Sequence, residues 1–195
     1  MSNFDQIKWD KRYSLLKGAP VEPPSWLETY RSWLSPGGLG LDVASGNGRI
    51  ALWLASSGLN VTAIDISAIG LKAATLNVEK LGFTLETVVV DLDEMELSSG
   101  EFDVITCFHY WQVDLFKLIC HEIKPGGIFI SEIFTKPNLT RHEHPTEKYL
   151  AETGELKRVC DSLEIIFYEE GWLSEYSLAR IVAQRKNCCS SIKNG

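Results

Sequence analysis

Asp42, Asp65 and Asp91 each stand near the end of a short apolar run, and a glycine bend, Ser45-Gly46-Asn47-Gly48, follows the first of them. A glycine turn between a strand and a helix presents backbone N–H groups and a helix N-terminus to an anion. A pyrophosphate at this bend would come close to Asp42, and at an effective dielectric of about 20 two like charges 4 Å apart repel by roughly 4 kcal/mol. The acid favours a ligand with a cationic end beside its own carboxylate. Ala44, Ser45, Gly46, Asn47 and Gly48 would then meet the carboxylate while Asp42 meets the cation. Asp65, followed by Ile66, comes 17 residues after Gly48, close to the spacing at which an acid hydrogen-bonds a ribose hydroxyl pair. Asp91 and the backbone of Leu92 are placed to read an adenine amino group. One acid at a strand end is commonly a loop cap. Three at consecutive strand ends, with the glycine bend, point to a nucleoside-like ligand.

The elements that must hold these residues alternate in the manner of βαβ units around a parallel sheet. The pattern predicts strands at Leu39 to Val43, Asn60 to Ile64 and Leu85 to Val90. Between them it predicts a helix from Arg49 to Ser57 ended by Gly58, and another capped by Ser67 and stopped at Leu81-Gly82. The second half predicts a strand at Phe102 to Phe108, a helix at Val113 to Ile123, a turn at Lys124-Pro125-Gly126-Gly127 and a strand at Ile128 to Phe134. A polar segment from Thr135 to Thr153 precedes a short helix, Glu155 to Cys160. Two late strands, Leu163 to Tyr168 and Ser177 to Gln184, are expected to pair antiparallel through the Gly171 region. At the front, Asp5 to Tyr13 reads as a helix, and Pro20, Pro23 and Pro24 as a linker. Ser25 is then expected to cap a helix bearing Trp26, Leu27, Tyr30, Trp33 and Leu34.

The resulting fold class is α/β, a single doubly wound Rossmann-like domain with a mostly parallel seven-stranded sheet and a C-terminal antiparallel hairpin. Residues 1–37 form a helical lid or cap, 38–186 the main domain and 187–195 a flexible tail. At 195 residues the chain suits one domain and is short for two. A net charge of -7 disfavours a nucleic-acid partner. The five cysteines lack CxxC spacing, which suits a reducing, cytoplasmic setting. No signal sequence and no apolar run near 20 residues is present, so no membrane role is expected.

At these residues the chain resembles the class I S-adenosylmethionine-dependent methyltransferases. Asp42 to Gly48 is similar to that family's first motif, Asp65-Ile66 to its ribose acid, Asp91-Leu92 to its adenine pair, and Lys124-Pro125-Gly126-Gly127 to its turn before strand five. Gly46 to Ala55, Val61 to Ser67 and Trp9-Asp10-Lys11-Arg12-Tyr13 resemble the tellurite-resistance, small-molecule branch, in which the last motif packs across the cofactor mouth. The resemblance implies S-adenosylmethionine as cofactor, with S-adenosylhomocysteine as product. It implies a small-molecule acceptor such as a thiol, a metalloid oxyanion or a similar soft nucleophile, and a monomer or homodimer. After strand four this chain has Cys107-Phe108-His109-Tyr110-Trp111 in place of an Asn/Asp-Pro-Pro-aromatic run or a Pro-Cys pair, which counts against methylation of nucleobases.

In-line methyl transfer asks the protein mainly to align donor and acceptor and exclude water. His109 has a suitable pKa class for a base, with a hydrogen-bonded rim histidine as the plainer account. Tyr13, Tyr110 and Trp111, with Trp9, offer a hydrophobic lid and π faces to a sulfonium, each worth about 0.5 to 2 kcal/mol, and Phe108 is expected among the cofactor-binding residues. Core packing accounts for Trp111 equally well. Arg141-His142-Glu143-His144 lacks further ligands at metal spacing, so no metal site is assigned and a specificity loop over 135–153 is expected. Gly46-Asn47-Gly48-Arg49-Ile50-Ala51 also satisfies G-x-G-x-x-A, which keeps an NAD(P)-dependent oxidoreductase as an alternative. A module that binds S-adenosylmethionine without turning it over is the other.

Overall fold

The computed structural model describes residues 3–16, 22–97 and 100–187. Seven strands, β1 (Leu39–Val43), β2 (Asn60–Asp65), β3 (Glu86–Val89), β4 (Val104–Phe108), β5 (Ile128–Phe134), β6 (Glu164–Leu173) and β7 (Tyr176–Gln184), form one sheet in the order β3-β2-β1-β4-β5-β7-β6. The first five are parallel, and β7 runs antiparallel to both β5 and β6. The connection leaving β1 runs to β2 on one side, while β4 lies on the other. Segments after β1 and β4 therefore diverge and open a crevice at the carboxyl edge.

Alternation along the strands sorts two cores onto opposite faces. Leu41, Val43, Ile105, Cys107, Phe129 and Ile133 pack toward α4 (Val113–Glu122) and α5 (Glu155–Val159). Val61, Ala63, Val104, Phe108, Ile128 and Ile130 pack on the other face with α2 (Arg49–Ser56), α3 (Ala68–Glu79) and the 3₁₀ helix Ser25–Trp33. Cys107, Cys120 and Cys160 are buried free thiols; Cys188 and Cys189 lie outside the described residues, as does the expected tail beyond Asn187.

Three local expectations are corrected. Ser25 to Trp33 is a 3₁₀ helix, and Ser25 does not cap it. Pro24 precedes it in an extended conformation, and the Leu27 N–H donates to the Pro24 carbonyl at 3.0 Å, closing the tighter i→i+3 turn. β6 runs past Tyr168 to Leu173, because Gly171 pairs with Leu178 inside the ladder and the reversal comes at Ser174-Glu175. The antiparallel partner overrides the local glycine signal. β3 is shortened to four exposed residues at the sheet edge.

Ser67 caps α3 as its sequence position implies, its hydroxyl accepting the Gly70 N–H at 3.0 Å. Asp10 of α1 (Asn3–Leu15) accepts from the Ser67 hydroxyl at 2.5 Å and from the Ile69 N–H at 3.3 Å, which docks α1 on the start of α3. Gly48, at φ 81°, has room for no side chain. A Cβ there would stand 2.6 Å from the Ala74 Cβ and 2.9 Å from its Cα. Gly48→Ala therefore combines left-handed strain of about 1–2 kcal/mol with overpacking against α3 of about 1–3 kcal/mol. Urea denaturation should show a loss of about 2–5 kcal/mol; a loss below 1 kcal/mol would mean that α3 shifts freely.

Candidate active site

The bend after β1 starts with Ala44 in the left-handed region at φ 56°, followed by Gly46 at φ 56°. It is held by the Ser45 N–H donating to the Ile64 carbonyl and the Gly48 N–H donating to the Ser45 carbonyl, both at 3.0 Å. Asp65 supplies the remaining clamp. Its Oδ2 accepts the Gly46 N–H at 2.9 Å and its Oδ1 the Ser67 N–H at 2.8 Å. Burial raises its pKa even so.

Asp42 is 1% exposed. Its Oδ2 accepts the Ala51 N–H at 3.0 Å and its Oδ1 the Thr106 hydroxyl at 2.8 Å. Gly48 stands at the N-cap of α2 without a side chain to cap it. The carboxylate of β1 does that work from across the bend, at the helix end where a negative charge is favoured. Burial nonetheless pushes the Asp42 carboxyl up to about 6. Ser45 Oγ is buried beside the Asp42 carboxyl and, with Thr106 and the Ala51 N–H, offsets part of that rise.

A cavity of about 480 Å³ opens beside these groups, within the range of small-molecule sites. Of the residues singled out from sequence, Trp9, Tyr13, Asp42, Ala44, Ser45, Asn47, Asp65, Ile66, Phe108, His109 and Tyr110 line it. Gly46 and Gly48 do not. A Cβ on Gly46 would collide with the Tyr13 hydroxyl, and Gly48 seats Ala74, so both glycines clear space for protein packing. Asp91 and Leu92 also stand off the wall. Asp91 accepts the Asp93 N–H at 2.9 Å in its own turn, and Leu92 is buried in the core. Tyr110 separates the cavity from a second groove lined by Asp93, Gln112 and Tyr149. Trp111 is buried edge-on against Phe116 at 4.6 Å, a core position.

Both tyrosines are donors rather than bases. Burial raises the Tyr13 phenol, and Asp65 and Asp42 raise it further. Burial also raises Tyr110, whose hydroxyl donates to Gln112 Oε1 at 3.0 Å. His109, held at φ 57°, is fixed through its N–H donating to the Glu132 carbonyl at 2.8 Å. Its Nε2 lies 2.9 Å from Glu132 Oε1. Glu132 is buried, and burial alone would raise its pKa. Hydrogen bonds and charge from His109 and Arg180 outweigh that and hold it at about 2.

Leu16, Arg49, Ile50, Phe134 and Tyr176 also line the cavity without having been named as site candidates, as do Arg12 from the Trp9–Tyr13 motif and His144 and Pro145 from the 135–153 segment. Glu132 behind His109 was missed as well; a lone charge inside the apolar run Ile128 to Phe134 was the available signal. His144 and Pro145 belong to the 135–153 segment, which two 3₁₀ turns, Lys136–Thr140 and Glu147–Tyr149, and a Thr135–Ala151 bridge organise. Among the described residues no group of three His, Cys, Asp or Glu could hold a metal ion, and no helix is long and apolar enough to cross a membrane.

The elevated Asp42 sets a pH test. Below about pH 4 its carboxyl is neutral folded or unfolded; between about 4 and 6 only the folded form keeps the proton. Stability therefore falls as pH rises through that window and stays lower above it. In Asp42→Asn the amide oxygen can take the Ala51 N–H and the NH₂ can donate to Thr106 Oγ, whose own proton has the Leu41 carbonyl 3.4 Å away. The variant should be more stable than the wild type by about 1–3 kcal/mol at pH 8 and gain much less at pH 4.5. Equal gains at both pH values in chemical denaturation would exclude the charge as cause.

Residues 41–127 match the family described as methyltransferase domain. Ubiquinone biosynthesis O-methyltransferase from Rickettsia typhi is 37% identical over 95 residues, 46% of this chain and 38% of that protein. The chain thus spans well under half the length of that relative. Among solved structures, TehB from Haemophilus influenzae superposes with a TM-score of 0.68 at 19% identity, over 84% of this chain and 62% of that one. Magnesium protoporphyrin IX methyltransferase from Synechocystis PCC 6803, with bound S-adenosylhomocysteine, gives 0.64 at 16% identity, over 83% and 82%. Residues 41–127 thus resemble a methyltransferase domain, and the chain shares its fold with solved structures that include a methyltransferase.

Proposed function

We propose that this chain transfers a methyl group from S-adenosylmethionine to a small-molecule acceptor. The observation that carries the reading is the buried Asp42 carboxylate on one cavity wall, with Ser45 and Asp65 beside it. A zwitterionic amino-acid end suits that wall, because an ammonium compensates the carboxylate. A diphosphate would meet Asp42 with like charge.

Asp65 keeps acceptor capacity for ribose hydroxyls beyond its two backbone donors. Ile66 and Phe108 flank the nucleoside; Asp91 and Leu92, which stand off the cavity wall, are not given the adenine contact. Ala44, Asn47 and the backbone of Gly46 and Gly48 shape the bend. Trp9 and Tyr13 of α1 cover the mouth, which makes the N-terminal segment a lid. The donor, when bound, supplies an electrophilic methyl group. The protein's part is to align the acceptor and keep water out.

Thiols and metalloid oxyanions, the soft nucleophiles expected from sequence, need no base. The named relatives are O-methyltransferases, so hydroxyl acceptors belong in the same test. We place the protein in the cytoplasm as a monomer or homodimer acting on a free metabolite, without nucleic acid.

S-adenosylhomocysteine at 100 times its dissociation constant should stabilise the protein by about 2.7 kcal/mol in a thermal-shift series. Stabilisation by NAD alone would favour the oxidoreductase alternative. Calorimetry on Asp65→Ala should show binding weakened by about 1–3 kcal/mol, part of it through the loosened bend. Unchanged affinity removes Asp65 from the site. Product formation with thiols, metalloid oxyanions and hydroxylated aromatics tests turnover; binding with no product from any acceptor leaves a binding module.

A further inference from the structure

His109 and Glu132 form a pair that simple alignment of two reactants does not require. Glu132 Oε1 faces His109 Nε2 at 2.9 Å, while Oε2 accepts from Arg180 Nε at 2.6 Å and from Trp26 Nε1 at 3.0 Å. Every proton on Oε2 comes from a group that cannot give it up, so the carboxylate stays an anion and takes a proton-bearing Nε2 as its third donor. The neutral ring is thereby fixed in one tautomer. Nδ1 is then a bare acceptor with no hydrogen-bond partner among the described residues. The His109 side chain is 36% exposed and borders the cavity. Its ring packs on Phe134 at 4.8 Å, and Phe134 meets Tyr176 edge-on at 5.6 Å, so the wall next to the base is aromatic.

An oriented base is idle against an acceptor that is already an anion. It matters when the attacking atom still carries a proton. Resting on the methyl-transfer reading, we propose that the acceptor is a hydroxyl on a planar ring, that His109 takes its proton at Nδ1, and that Glu132 is a positioning residue anchored by Arg180. The oxygen supplies the electron pair of the new O–C bond, the S–C bond pair stays on sulfur, and the proton passes to His109 and then to water at the exposed ring edge. The strained His109 backbone fits this role, since left-handed non-glycine residues persist where surrounding structure over-determines them.

The test combines spectroscopy and kinetics on the full chain. In ¹⁵N ring spectra of the ligand-free wild type, the neutral His109 ring should carry its proton on Nε2, with His109→Asn providing the assignment. A proton on Nδ1 overturns the proposal. With S-adenosylmethionine and a series of ring-substituted phenols at one pH, His109→Asn should lower kcat by about 10²–10⁴-fold for phenols that remain protonated. It should change kcat less than tenfold for phenols already ionised, with KM for S-adenosylmethionine unchanged. Glu132→Gln should repeat that pattern at smaller size; if it fails to fold, the half-exposed His109→Asn still decides. Equal loss for all phenols, or methylation of thiols and metalloid oxyanions but of no hydroxyl, overturns the proposal alone. Failure of the wild type to bind S-adenosylhomocysteine in calorimetry overturns the methyl-transfer reading and the proposal with it.

Discussion

Asp42 sits within β1 almost without solvent contact, and its two oxygens are met from two different elements, Thr106 of β4 and the first turn of α2. A carboxylate so placed ties three things together. β1 and β4 must keep the register that sets Asp42 opposite Thr106, α2 must begin where its Ala51 N–H can reach back, and the bend between must be short. Even with both donors, burial leaves the carboxyl easier to protonate than it would be in water. A hydrophobic residue there would give a more comfortable sheet. What it would not give is a fixed negative charge at the floor of the cavity.

Asp65 governs the same bend from the next strand. By gripping the N–H groups of Gly46 and Ser67 it joins the end of β2 to both the glycine turn and the start of α3. Ser67 in turn accepts Gly70 and donates to Asp10, so the chain of hydrogen bonds runs on into α1. Tyr13, on that helix, lies over Gly46 and Gly70, where a larger residue at either position would strike its ring or hydroxyl. The covering helix is thus registered to the floor of the cavity through one continuous set of contacts.

The sheet and the acid positions were legible because period and punctuation agreed along the first half of the chain. Leu39 to Val43 and Phe102 to Phe108 are mostly apolar runs, broken by Asp42 and by Asp103 and Thr106, and each leads into a turn, which is how strands buried on both faces read. The glycines were legible as a motif and less so in their work. That Gly48 seats Ala74 depends on α3, twenty-six residues away, and no local pattern carries it. The 3₁₀ form of Ser25 to Trp33 depended on the Pro24 carbonyl, and the length of β6 on its ladder with β7. Glu132 and Arg180 face each other only because β5 and β7 are antiparallel neighbours, a pairing that sequence reading did not specify. Side-chain networks between strands are therefore the part of the site that had to be seen.

The two edges of the sheet differ in how they end it. β6 carries an irregularity between Ile165 and Phe167 and sets Glu164, Glu169 and Glu170 along its length, features that discourage another strand from adding. β3 has only four residues, and Val88 and Val89 are exposed there. Its brevity limits the ladder a stranger could build, while its valines are the β-branched type that fibril-forming segments favour. Crowded storage of this protein would thus find its point of vulnerability at the rim beside β2, where Val89 pairs with Asp65.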